Sequence, residues 1–285
     1  MKMTDYEAIQ TLVDSNIFIV DGPDGTKSIR ADILAKAILD LMSAEDVTAV
    51  VKSQLAPEMH RNIFRGKNLG STVTAQQLAN IRNGTFEDLF VGDYWVINSV
   101  TWRIVDINYW LRCGDADFTK PHLVIMPDNP LYNAQMNAEN TTAGGYAGST
   151  MYVSNLNDAK TIVATAFGGA VLTHREYLTN AVSNGYPSAG AWYDSTVELP
   201  NECMMYGSHI FTAGGDGSFV PARYTINKSQ LALFKLVPKF IHNRQWFWLR
   251  DVVSAAGFAL VDDSGGAAYD LASNSGGVRV VFGIG

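Results

Sequence analysis

The sequence predicts an α+β protein in which short strands alternate with long ordered loops, preceded by a small hairpin-plus-helix module. Three observations predict it. Residues 245–285 carry an aromatic and β-branched frame, Trp246, Phe247, Trp248 and Leu249, then Phe258, Leu260 and Val261, then Val278, Val280, Val281, Phe282 and Ile284. Between these blocks lie small or polar groups at 254–257, 262–266 and 270–277, the alternation expected where strands supply a core and turns supply a surface. From Arg65 onward the same style recurs, with strand-like blocks and glycine-rich loops, whereas residues 1–59 place apolar side chains mainly at helical spacing.

Taken in order, Tyr6, Ile9, Leu12 and Val13 share a helical face, and Ile17 to Val20 form a strand. Asp21-Gly22-Pro23-Asp24-Gly25 is a turn signal, and Thr26 to Ile29 return as the second strand of a hairpin. Ile33, Leu34, Ala37, Ile38 and Leu41 then line one face of a helix over 30–42, and Ser43 with Asp46 starts a second helix that Pro57 closes. A short helical unit of this kind is stable only when packed on something else. Residues 1–59 are therefore assigned to an attachment or oligomerisation module, and 60–285 to the main domain.

In that domain Thr74 caps a helix through Ile81, with Gln77 as its capping partner and Gly84 beyond its end. A hairpin follows around Asn98-Ser99, and a strand over 122–126. Residues 129–151 form a polar, glycine-rich stretch long enough that an ordered functional loop is expected. A helical pattern over 153–167 ends at Gly168-Gly169, a second helix is expected over 175–182, and strand pieces at 202–206 and 210–211.

Composition narrows the function. A chain of 285 residues with 47% hydrophobic and 17% charged residues is globular. Its net charge of −7 argues against a nucleic-acid partner, which requires concentrated positive charge. The N-terminal segment is polar, and the most apolar run, 162–172, is too short and glycine-interrupted to span a bilayer. No membrane insertion is expected, and synthesis is expected in a cytoplasm without a signal peptide. Cys113 and Cys203 are expected as buried free thiols, and Arg61, Arg65 and Lys67 as a solvated face.

Catalytic patterns are missing. Asp115 and Asp117 lack the glycine and closing glutamate of a calcium loop, and the five histidines show neither HExxH spacing nor a Cys/His pairing. There is no G-x-S-x-G, and Gly214-Gly215-Asp216-Gly217 has neither P-loop nor Rossmann spacing. Neither enzyme activity, cofactor nor metal is expected. What remains is a recognition surface, loops on a rigid sheet, with tyrosine for contact area and Ser, Gly and Asn for adaptable hydrogen bonds. Arg250 and Arg279 fall in apolar surroundings, where a guanidinium must be paired or bonded to carbonyls, so each is expected to tie loops together.

Several segments carry a family resemblance: His122 to Asp128, Ala134 to Asn137, Asn140 to Tyr146, Leu172 to Leu178, Gly190 to Ser195, Lys228 to Leu231, and the closing Trp248-Leu249-Arg250 with Gly276-Gly277-Val278-Arg279. Together they resemble bacteriophage structural proteins of Gram-positive hosts whose C-terminal domain has a C-type lectin-like fold, as in phage tropism determinants and the targets of diversity-generating retroelements. The likeness covers roughly residues 60–285, and Val280 stands where the family often has proline. It implies a head or tail fibre protein of the virion, a homotrimer, that binds a host-surface protein or glycan and meets other virion proteins through its N-terminal module. The alternative is a capsid or tail decoration protein with a purely structural role. Carried onto this chain, Trp248, Leu249, Arg250, Phe258, Gly276, Val278 and Arg279 are the fixed frame. The implied ligand-facing positions are Gln245, Asp251, Ala255, Ala256, Leu260, Asp262, Asp263, Tyr269, Asp270 and Asn274.

Overall fold

In a computed structural model of the chain, the described residues are 17–22, 25–30 and 36 of the first part, then 56–212 and 229–285. By internal packing the chain divides into two compact units, Met1–Leu55 and Ala56–Gly285. In the first, β1 (Ile17–Gly22) pairs antiparallel with β2 (Gly25–Arg30), Ile17 opposite Arg30 and Gly22 opposite Gly25. This is the hairpin that the Asp21–Gly25 turn signal predicts. The helices expected over 6–13, 30–42 and 43–55 lie outside the described residues, apart from Lys36, which is helical.

The second unit is mixed α+β with mostly antiparallel pairing. Its strands in order are β3 (Tyr94–Ile97), β4 (Val100–Ile107), β5 (Leu123–Pro127), β6 (Asn133–Gln135), β7 (His174–Ser183), β8 (Tyr186–Ser195), β9 (Val197–Glu198), β10 (Phe247–Val252), β11 (Gly257–Val261), β12 (Ala267–Leu271), β13 (Ser275–Gly277) and β14 (Val281–Ile284). One five-stranded sheet has the order β3-β4-β5-β14-β9 and is antiparallel throughout. The other has the order β12-β11-β10-β13-β6, with β10 and β13 parallel. β7 and β8 form a separate hairpin.

Local sequence explains several elements directly. The helix α1 (Ala75–Arg82) begins with the expected capping box: the Gln77 amide donates to Thr74 Oγ1 at 3.1 Å and the Thr74 amide to Gln77 Oε1 at 2.9 Å. At the tip of β3–β4, Asn98 and Ser99 both hold positive φ, 51° and 64°, the two-residue turn whose twist matches the strands it joins. A π-helical turn at Met151–Asn155 leads into α2 (Leu156–Phe167), which buries Leu156, Ala159, Val163 and Phe167. Phe167 meets Trp95, Trp102 and Phe282 edge-on, with centroids 5.2 to 6.5 Å apart.

Other expectations are corrected. Residues 175–182, predicted as a helix, are the middle of β7. Asn184-Gly185, at φ 52° and 79°, turns this strand back into β8, and the β-branched and aromatic residues Tyr177, Thr179 and Val182 suit a strand. Residues 202–206, predicted as a strand, are the helix α3 (Glu202–Tyr206). Asn201 accepts the Met204 amide at 2.8 Å to start it, and Gly207 at φ 82° ends it. Ile210 and Phe211 lie in a bend rather than a strand, and the 270–277 group, expected as loop, supplies the end of β12 and all of β13. The short helix α4 (Ala232–Leu236) buries Ala232, Leu233 and Phe234.

The basic cluster is not a free solvated face. Arg61 grips the fully buried Asp106, with Nε to Oδ1 at 2.5 Å, Arg65 pairs with buried Asp93 at 2.6 Å and with Asp88, and Lys67 reaches Asp88 at 2.8 Å. Cys113 and Cys203 are both buried, and neither is in a disulfide.

Candidate binding surface on the C-terminal sheet

β10 and β11 are buried along their whole length, so the sheet is a rigid support and only its margins meet solvent. All seven frame positions are buried, with Trp248, Leu249, Phe258 and Val278 at 0% exposure. Gly276 has a steric reason to be glycine, because a Cβ there would lie 2.1 Å from the Trp246 ring and 2.8 Å from Trp248 Nε1.

Both arginines are buried with partners, Arg250 joining strands through a carboxylate and Arg279 tying loops together through their carbonyls. Arg250 Nη2 donates to Glu176 Oε2 at 3.0 Å, and Glu176 Oε1 accepts the Trp110 indole N–H at 2.6 Å, which joins β10, β7 and the segment after β4. Arg279 donates to three carbonyls, Nε to Pro127 at 2.9 Å, Nη1 to Ile241 at 2.9 Å and Nη2 to Phe240 at 3.3 Å. Burial pulls its pKa down to about 10, a sign of how far this guanidinium sits from water.

The implied ligand-facing positions separate into groups. Gln245 and Asp263 come together in a cleft of about 310 Å³, lined also by Asn133, Arg244, Trp246, Ser275, Gly276 and Gly277. Tyr269 stands on β12, an outer strand of the sheet, and is 56% exposed. Asp270, its half-buried neighbour, accepts the Leu271 amide at 2.7 Å. Ala255 and Ala256 lie in the β10–β11 turn, whose carbonyls accept the Thr142 and Ala272 amides at 3.0 and 2.9 Å. Asn274 is exposed in the turn between β12 and β13.

Asp251 and Leu260 are corrections. Asp251 is 2% exposed and accepts the Glu202 amide at 2.7 Å through Oδ2, and Leu260 is 6% exposed within the core. Both strands that carry them are covered on both faces, so strand alternation does not expose either side chain. Asp262 is half-buried and engaged by its own turn, accepting Ser264 N, Ser264 Oγ and Gly266 N at 2.7 to 2.9 Å. The Ser264 hydroxyl and the neighbouring amides hold its carboxyl below the usual range.

Sequence reasoning missed the partners of Tyr269. Phe211, 38% exposed, meets the Tyr269 ring at 5.2 Å, and Ile210 and Leu271 are 48% and 46% exposed. Together they form an apolar margin contributed by two segments about sixty residues apart. Nothing local marks Ile210 and Phe211 as partners of β12. Arg244 and Trp246, which line the cleft, flank Gln245 in sequence, and that adjacency is the signal for them.

Among the described residues, one set of side chains has the makings of a metal site: Glu202, His209 and Asp251 each place a donor atom within 4.8 Å of the other two. No described helix is long and apolar enough to cross a membrane. Comparison with family models, curated proteins and solved structures finds no match for this chain.

Proposed function

We propose that this chain is a bacteriophage structural protein that binds a host-surface protein or glycan through the margin of its C-terminal sheet. The scaffold is read as C-type lectin-like, the assembly as a homotrimer within the virion, and the N-terminal module as its attachment to other virion proteins. The observation that carries the recognition reading is the exposed Phe211–Tyr269 pair with Ile210 and Leu271 around it. Exposed apolar clusters of this kind mark interaction sites, and aromatic anchors dominate binding energy. The cleft at the β13–β6 side of the same sheet offers further contacts for a ligand: the Trp246 ring, the Arg244 guanidinium, and polar groups from Gln245, Asp263 and Ser275. The virion context rests on the resemblance of the segments between 122 and 279.

The test is retention of the labelled full-length protein on candidate host cells, compared with a Phe211→Ala, Tyr269→Ala variant and with a Gln245→Ala, Asp263→Ala variant. Binding lost in either variant, with the thermal transition retained, supports the reading. If the unaltered protein shows no binding but associates with purified virions, the decoration role replaces it.

A further inference from the structure

We infer that Glu202, His209 and Asp251 form a binding site for a divalent cation of the zinc class. The inference stands independently of the receptor reading. Glu202 opens α3, His209 follows the Gly207 turn that ends it, and Asp251 comes from β10. The fold brings together donors from two segments, which is why no sequence spacing announces them.

Geometry supplies the first argument. One donor atom from each of the three side chains lies within 4.8 Å of the other two, and a tetrahedral zinc ion with bonds of about 2.0 Å to nitrogen and oxygen holds its donors about 3.3 Å apart, so small side-chain movements close the site around an ion. Two carboxylates and an imidazole also form a set that suits zinc, whereas calcium and magnesium call for oxygen alone.

Electrostatics supplies the second. Glu202 is 0% exposed and Asp251 2% exposed, so two carboxylates approach each other away from water. Like charges so placed repel, and a cation between them turns that repulsion into attraction. Glu202 is also pre-positioned, since Ile210, Phe211 and Thr212 donate their amides to its two oxygens at 3.0, 3.1 and 3.3 Å. Such outer contacts orient a ligating carboxylate. Because the same amides belong to the bend that carries Phe211 to Tyr269, a bound ion would brace the apolar margin from beneath.

The full-length protein, stripped with a chelator and desalted, is titrated calorimetrically with zinc chloride, and its metal content is measured by mass spectrometry. One ion per chain and a rise in the thermal transition are expected. His209 is only half-buried, so His209→Ala removes a donor without opening the core. It should weaken zinc binding at least about 100-fold, the upper end of the cost of disturbing even an outer-shell partner. No zinc uptake, or uptake indifferent to His209→Ala, overturns the site.

Discussion

The two five-stranded sheets of the second unit use similar residues to opposite ends. In the β3-β4-β5-β14-β9 sheet, aromatic side chains turn inward, where Trp95, Trp102 and Phe282 gather around Phe167 of α2 with centroids 5.2 to 6.5 Å apart. In the β12-β11-β10-β13-β6 sheet the interior strands are just as buried, yet the outer strand β12 holds Tyr269 at 56% and Leu271 at 46% exposure. An aromatic residue on a strand is therefore not by itself a core residue. Covering by a helix makes the first sheet a source of stability, and an uncovered outer strand makes the second a place for contact.

The largest expected effect lies in the first sheet. Trp102→Ala empties space between Phe167 and Phe282 and should cost about 3–5 kcal/mol in chemical denaturation. A loss as small as that of a surface substitution would break the contrast. Next comes the buried pair that supports the second sheet. Arg250→Met removes the guanidinium facing Glu176 and should cost about 3 kcal/mol or more. Adding Glu176→Gln, which takes away the facing charge, should restore part of that loss in the same measurement.

The third prediction uses pH to probe the support of the first sheet. His122 accepts the Trp110 amide at Nε2, 3.1 Å, and its Nδ1 lies 2.9 Å from the Lys120 carbonyl, so the ring is held neutral with its proton on Nδ1. Burial takes its pKa down to about 3 from the ordinary 6.5. Below pH 6.5 the unfolded chain takes up a proton that the folded one refuses until about pH 3, so stability falls as pH drops through that window. From pH 7 to 4.5 this should remove roughly 2–3 kcal/mol, and His122→Gln should lack that part of the decline in urea unfolding. Glu198 acts in the opposite sense: burial raises its pKa, so acidification between the raised value and 4.5 stabilises the fold. The comparison with His122→Gln separates the two.

The smallest effect on stability belongs to the exposed margin. Phe211→Ala with Tyr269→Ala should shift unfolding by no more than about 1 kcal/mol, while host-cell retention falls sharply. A large loss of stability would mean that the pair belongs to the core after all, and the distinction between the sheets would narrow.

How much of this was legible follows from the range of the interactions involved. Local signals were sufficient where the deciding contacts are local. Thr74 and Gln77 lie within one helical turn, Asn98-Ser99 within one hairpin, and Asp21 to Gly25 within another. The burial of Arg250 and Arg279, and their need for partners, also followed from apolar neighbours in sequence, although Glu176 and the Pro127, Phe240 and Ile241 carbonyls could not be named. At 175–182 the expected helix is a strand, because Tyr177, Thr179 and Val182 favour one and the segment pairs with 186–195 in a two-stranded ribbon.

The alternation of strand and turn, the mixed α+β class, and the segments with the composition of a core are all written in the order of the residues. Which strands became interior and which became outer depended on long-range packing. That choice buried Asp251 and Leu260, left Tyr269 in water beside Phe211, and set Glu202 and His209 against Asp251. The physical reason is that side-chain alternation along a strand specifies two faces but not what covers them, and cover comes from chain segments far away in sequence.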